Sequence, residues 1–205
     1  MALTYPLSVA AFIKALPVSK FTFQPTINTT MGTTGAGEIL TVGNGERLWE
    51  GVVEVFKSHW AEYEADMALV REMEEVGGTF LMTPLHMERP GAAGATLSTV
   101  SGRQVRFSGA GVGRVLTAGS YFSFAYGGGR YSLHQLSETV TADGTGLTPL
   151  GQVVPPVPAS VPTPQAVQFA LPVCKAIIVP GSVQPPDIRS VFAETFSFRW
   201  RQTRI

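Results

Sequence analysis

Few side chains in this 205-residue sequence are suited to act as metal ligands, nucleophiles or proton carriers. Its histidines are His59, His86 and His134, and no two of them stand in an HxxxH or HExxH spacing. A helix needs such a spacing to aim two imidazoles at one zinc ion. His86 and Glu88 flank Met87 in a linker, a pairing too common to specify a site. Cys174 lies in the apolar run Val173 to Val179 with no histidine near it in sequence, so it reads as a small buried hydrophobe. As the only cysteine it forms no internal disulfide. Aspartate is scarce (Asp66, Asp143 and Asp187), and Asp143 opens the turn sequence Asp143-Gly144-Thr145-Gly146. The glycine-rich stretches 32–37 and 109–113 lack the following helix that a dinucleotide or phosphate loop requires. No Gly-x-Ser-x-Gly elbow occurs. The expectation is a protein with no catalytic residues, no cofactor and no metal, and not an enzyme.

Composition points to β-structure and to assembly. Charged residues are 15% of the chain and hydrophobic ones 44%, with 22 Gly and 15 Pro, whereas ordinary globular chains carry about 25% charged residues. So little charge fits a subunit that buries surface against neighbours, or a monomeric β-sandwich with long loops. Formal net charge is zero, which argues against a dedicated nucleic-acid binder but not against a wall past which nucleic acid slides. Residues 1–14 are apolar but carry Pro6 and no leading charge, so they do not read as a signal peptide. No window reaches the ~18 apolar residues of a membrane helix. Synthesis in the cytoplasm without membrane insertion is expected.

The chain must then supply elements. Residues 7–16 predict a short helix with Ser8 as cap, and Lys20 to Pro25 alternates like a strand. Thr26 to Glu46 is rich in Thr, Gly and Asn and predicts a projecting hairpin, turning at Gly43-Asn44-Gly45, or a loop ordered by a neighbour. Leu48 to Phe56 predicts a strand with Trp49, Gly51, Val53 and Val55 on one face. A helix follows from Ser58 to about Glu75, with Trp60, Tyr63, Met67, Val70 and Met73 as its apolar stripe. Its other face carries Glu62, Glu64, Asp66, Glu72, Glu74 and Glu75 against Arg71, either a solvated face or an electronegative surface for a passing polyanion. Residues 79–82 predict another strand. After a linker over 86–94 come short strands only, at 104–107, 121–126, 130–136, 147–154 and 166–170, which suggests a small Greek-key barrel or sandwich. A Pro-rich connector spans 155–164. Strands at 175–179 and 191–201 close the chain, the last with Phe192, Phe196, Phe198 and Trp200 on one face. That aromatic face needs a larger core than the C-terminal segment offers, and the N-terminal strands are its natural partners. The predicted fold is therefore mainly β with one principal helix: a discontinuous domain over 1–85 plus 172–205, interrupted by a small β-domain over 90–168.

This order of strand, helix, strand, inserted β-domain and closing strands resembles the distal tail proteins of siphophages. Four motifs add to the likeness: Ala118-Gly119-Ser120-Tyr121-Phe122-Ser123-Phe124, Arg130-Tyr131-Ser132-Leu133, Ala142 to Gly146, and Val154-Pro155-Pro156-Val157-Pro158. They are similar to a pattern in tail-tip and hub-region proteins of phages and gene-transfer-agent-like elements. Two positions depart from it: Ser120 stands where an aspartate is usual, and the arginine after the double proline is absent. The resemblance implies a tail-tube-like β-sandwich domain that forms a ring, hexameric in that family, with an oligonucleotide/oligosaccharide-binding-like barrel or a sandwich outside it. It implies a virion location and, as partners, the tail tube, the hub or tail-tip protein and the tape measure, with DNA only as passing cargo. Tyr121, Phe122, Phe124, Tyr126 and Tyr131 either stack on a sugar, as in a host-attachment module, or fill the core.

The residues expected to join neighbouring subunits are those of the arm: Thr29, Thr30, Gly32, Gly35, Gly37, Ile39, Val42 and Asn44. Exposed strand edges are ready-made contacts for ring closure.

Overall fold

The computed structural model describes residues 4–43, 45–56, 60–86, 94–185, 188–189, 192–193 and 195–204, with backbone alone at 60–61, 188–189 and 192–193. In chain order its elements are β1 (Val18–Phe21), β2 (Gln24–Pro25), β3 (Thr29–Thr33), β4 (Ile39–Gly43), β5 (Trp49–Val55), α1 (Trp60–Glu74) and β6 (Phe80–Met82). Next come β7 (Thr96–Ser101), β8 (Gln104–Ser108), β9 (Val115–Leu116), β10 (Tyr121–Tyr126), β11 (Arg130–Leu136), β12 (Val140–Thr141), β13 (Gly151–Val154) and β14 (Gln165–Ala166). The chain closes with β15 (Cys174–Ile178), β16 (Ile188–Arg189), β17 (Phe192–Ala193) and β18 (Phe196–Gln202). The fold is mainly β with one helix among the described residues, in the sandwich and barrel class.

The first sheet is a half-barrel in the order β1-β5-β18-β15-β6. Strict alternation builds it. Trp49, Gly51, Val53 and Val55 of β5 are buried, as are Phe196, Phe198, Trp200 and Gln202 of β18. The two strands pair antiparallel with Phe198 opposite Val53. Gly51 is required by close approach: a Cβ there would lie 1.9 Å from Thr22 O. Helix α1 covers this core with Tyr63, Met67, Val70 and Met73, a spacing of three and four that puts all four on one side. The side chain of Trp60 and residue Ser58 lie outside the described residues.

The second sheet runs β10-β11-β13-β8-β7-β14 and nearly closes into a barrel. Reciprocal backbone bonds between Ser123 and Gln168 (3.0 and 2.8 Å) tie the two ends of that order together. Inside are Leu97, Val105, Phe107, Phe122, Phe124, Val153 and Phe169. A seam joins this barrel to the half-barrel. Trp49 Nε1 donates to Leu133 O (2.7 Å), Val173 N donates to Ser123 Oγ (2.9 Å), and the Tyr121 ring lies 5.5 Å from that of Trp49.

Several expectations need correction. Residues 7–16 form successive turns rather than a helix. Their backbone bonds mix spans of three, four and five residues (Ala11 N to Ser8 O, Phe12 N to Ser8 O, Lys14 N to Val9 O). Leu7 is pulled instead onto the edge of β6, bonding Thr79 O and Leu81 N. The strand expected over 20–25 breaks into β1 and β2, because Thr22 Oγ1 accepts from Val52 N (2.7 Å) where a backbone carbonyl would. The last strand begins at Phe196, and Phe192 belongs to the separate β16–β17 ribbon. Strand β7 occupies residues for which no strand was anticipated, and only 151–154 of the stretch 147–154 is strand.

Candidate functional site

The groups with chemical potential are mostly walled in. Ser132 and His134 are adjacent on one face of β11, and Ser132 Oγ lies 2.8 Å from His134 Nε2. The other nitrogen, Nδ1, lies 2.7 Å from Pro155 O. A carbonyl only accepts, so Nδ1 carries the proton and Nε2 accepts from the serine. That is the hydrogen-bonding pattern of a nucleophile and its base, and sequence reading missed it; the Ser-x-His alternation within a strand was the available signal. Chemistry there is blocked, since both side chains are only 1% exposed. The imidazole is stacked by Phe122 and Phe124 at 5.4 and 5.5 Å. Burial pushes the His134 pKa down to about 4, against a smaller upward pull from Pro155 O. It is a neutral staple between β11 and the Pro-rich connector.

The other candidates are structural too. Cys174 is fully buried, and desolvation drives its pKa up, so it stays a thiol. Asp143 accepts from Thr145 Oγ1 (2.7 Å), Thr145 N (2.8 Å) and Leu147 N (3.0 Å), and these bonds lower its pKa. Tyr121, Phe122, Phe124 and Tyr126 are buried in the two cores, and only Tyr131 is partly open. His86 is exposed beside the rings of Phe21 and Tyr121. His59, Met87, Glu88 and Asp187 lie outside the described residues. Among the described residues no group of His, Cys, Asp or Glu is placed to hold a metal ion, and no helix is long and apolar enough to cross a membrane.

What the protein does present is an arm. β3 and β4 form a two-stranded antiparallel ribbon that, among the described residues, pairs with no other strand. Every residue in both strands is exposed. Five residues at about 3.4 Å each give a reach of roughly 17 Å. Thr29, Thr30 and Gly32 lie on β3, Ile39 and Val42 on β4, and Gly35 and Gly37 in the connecting turn; Asn44 lies outside the described residues. The turn is at 34–38 rather than at 43–45. Thr34 Oγ1 accepts from Glu38 N (3.1 Å), and Gly37 takes a φ of +83°, which favours glycine. Apolar side chains sit on both faces of the ribbon. Leu40 and Val42 share one, and Met31 and Ile39 share the other, each between 56% and 69% exposed.

At the arm's root is a cleft of about 340 Å³ lined by Asn28, Thr29 and Gly43 of the arm and by Pro156, Val157 and Pro158 of the Pro-rich connector. Gly45, Glu46, Arg47, Arg103 and Arg204 complete its lining. Arg204 Nη1 pairs with Glu46 Oε2, while the buried Arg204 Nε meets no hydrogen-bond partner among the described residues. Arg47 Nε donates to Thr26 O (3.0 Å), and Arg103 is exposed.

No protein-family model and no curated protein matches the chain.

Proposed function

We propose that this chain is a structural, non-catalytic subunit that closes into a ring through its arm. In this reading the ring is the distal one of a phage-type tail, hexameric, seated between the tail tube and the hub or tail-tip protein, and DNA passes through its bore. The observation that carries the reading is the arm itself. A lone two-stranded ribbon is marginally stable in water, and this one exposes Met31, Ile39, Leu40 and Val42, which no other described residue of the chain buries. A ribbon of that kind gains most when a neighbouring subunit covers it, and contacts repeated head to tail close by rotation.

Three further features support it. The first sheet is drawn from both ends of the chain and the second from its middle, the order implied by the resemblance to siphophage distal tail proteins. The motif residues Tyr121 to Phe124 and Arg130 to Leu133 pair as β10 and β11, which form one hairpin of the inserted barrel. A formal net charge of zero suits a conduit, because every neutralised phosphate would slow the passage of DNA. The buried aromatics of β10 do not favour the alternative of a glycan-binding attachment module.

Removing residues 29–44 tests the arm. The cut ends lie side by side, since Asn28 Nδ2 donates to Glu46 O (2.7 Å). The shortened protein is expected to fold with a melting temperature within about 3 °C of the full chain and to run as a monomer in light scattering. If it still assembles as the full chain does, the arm is not the clasp.

A further inference from the structure

We propose that the arm tip of one copy, residues 34–38, docks in the arginine-lined cleft at the arm root of a second copy, with Glu38 as the anchoring acid. This rests on the ring reading above and names the contact that closes it.

Three observations converge on this occupant. The cleft is electropositive: Arg47, Arg103 and Arg204 face a single acid, Glu46, which Arg204 already engages. The exposed Arg103 is therefore open to a second carboxylate, and guanidinium is the cation best matched to one. The arm supplies that acid. Glu38 is the one charged residue between Asn28 and Gly45, it is exposed, and its side chain has no partner among the described residues.

Shape agrees with charge. Thr34-Gly35-Ala36-Gly37 is the slimmest stretch of the ribbon, and part of the cleft's lining is the apolar Pro156-Val157-Pro158. A small tip seats a carboxylate in such a cleft without displacing core residues. Tip and socket are different surfaces of the same subunit, so each copy offers one and fills another, as a heterologous ring requires.

The test is native mass spectrometry of full-length wild type, Glu38→Lys, Arg103→Glu and the double variant carrying both changes. Both positions are exposed, so each variant is checked for a wild-type melting curve and then compared at equal concentration. Each single reversal is expected to weaken subunit association on the order of tenfold or more by placing like charges together. The double variant, with the pair restored in reverse, is expected to regain assembly. Single variants that assemble like wild type overturn the docking and leave the ring standing. Single variants that fail to assemble together with a double variant that fails as well also overturn the pairing. A wild type that is monomeric throughout overturns the docking and the ring together.

Discussion

Phe198→Ala is expected to remove about 3–5 kcal/mol of stability, the usual range for emptying a buried aromatic site. Phe198 is completely buried at the middle of β18, opposite Val53, with its ring 6.0 Å from Phe12. It therefore links the C-terminal strand, its neighbour β5 and the N-terminal turns. A single domain commonly has a margin of about 5–15 kcal/mol, so the variant should be poorly soluble or unfold at far lower denaturant. Arg199→Ala, one residue along, exchanges an exposed side chain and should stay within about 0.5 kcal/mol of wild type. Denaturation midpoints of the two variants measure the contrast. Equal midpoints would mean that β18 buries its other face.

Acid should weaken the fold through His134. Its folded pKa of about 4 lies below the ordinary value of 6.5 because burial opposes the imidazolium. The unfolded chain takes up this proton first. The contribution is therefore complete above pH 6.5 and is lost as pH falls from 6.5 to 4. The full loss is ~3 kcal/mol at 1.36 kcal/mol per unit. Carboxylates also begin to titrate near the lower end of this window, so the decisive comparison is with His134→Gln, which keeps polar atoms but has no proton to gain. Denaturant midpoints at pH 7.5 and 4.5 should converge for the variant relative to wild type. An equal loss in both proteins would show that His134 does not set the acid limit.

Sequence made visible the features that repeat. The alternation in β5 and β18 forces one face of each into the core, and the spacing of Tyr63, Met67, Val70 and Met73 allows only a helix with one apolar side. Gly127, Gly128 and Gly129, all at positive φ, form the tight turn between the strands expected at 121–126 and 130–136, which pair as β10 and β11. Where two local signals competed, sequence did not decide. Gly43-Asn44-Gly45 and Thr34-Gly35-Ala36-Gly37 are both turn sequences, and the winner follows from pairing Thr29–Thr33 with Ile39–Gly43 along their whole length. Residues 7–16 carry a helix-like apolar spacing, yet Leu7 gains more as a partner of β6 than as a first helical turn.

The candidate site divided along the same line. The arm could be read from sequence because its polar, glycine-rich composition cannot build a core of its own. Its root could not, because Arg47, Arg103 and Arg204 are far apart in the chain and meet only when the half-barrel, the barrel and the Pro-rich connector converge. The Ser132–His134 staple was hidden for a related reason. The tertiary contacts with Phe122, Phe124 and Pro155, not the residue types, determine that it is sealed.

The native mass of the purified full-length protein, followed over a wide range of concentration, bears most directly on the ring. The expected result is one closed multiple of the subunit, six copies, that persists on dilution and appears as an annulus with an open bore in negative stain. A protein that remains monomeric at every concentration, or that forms an open-ended ladder of masses with no preferred size, would contradict the ring.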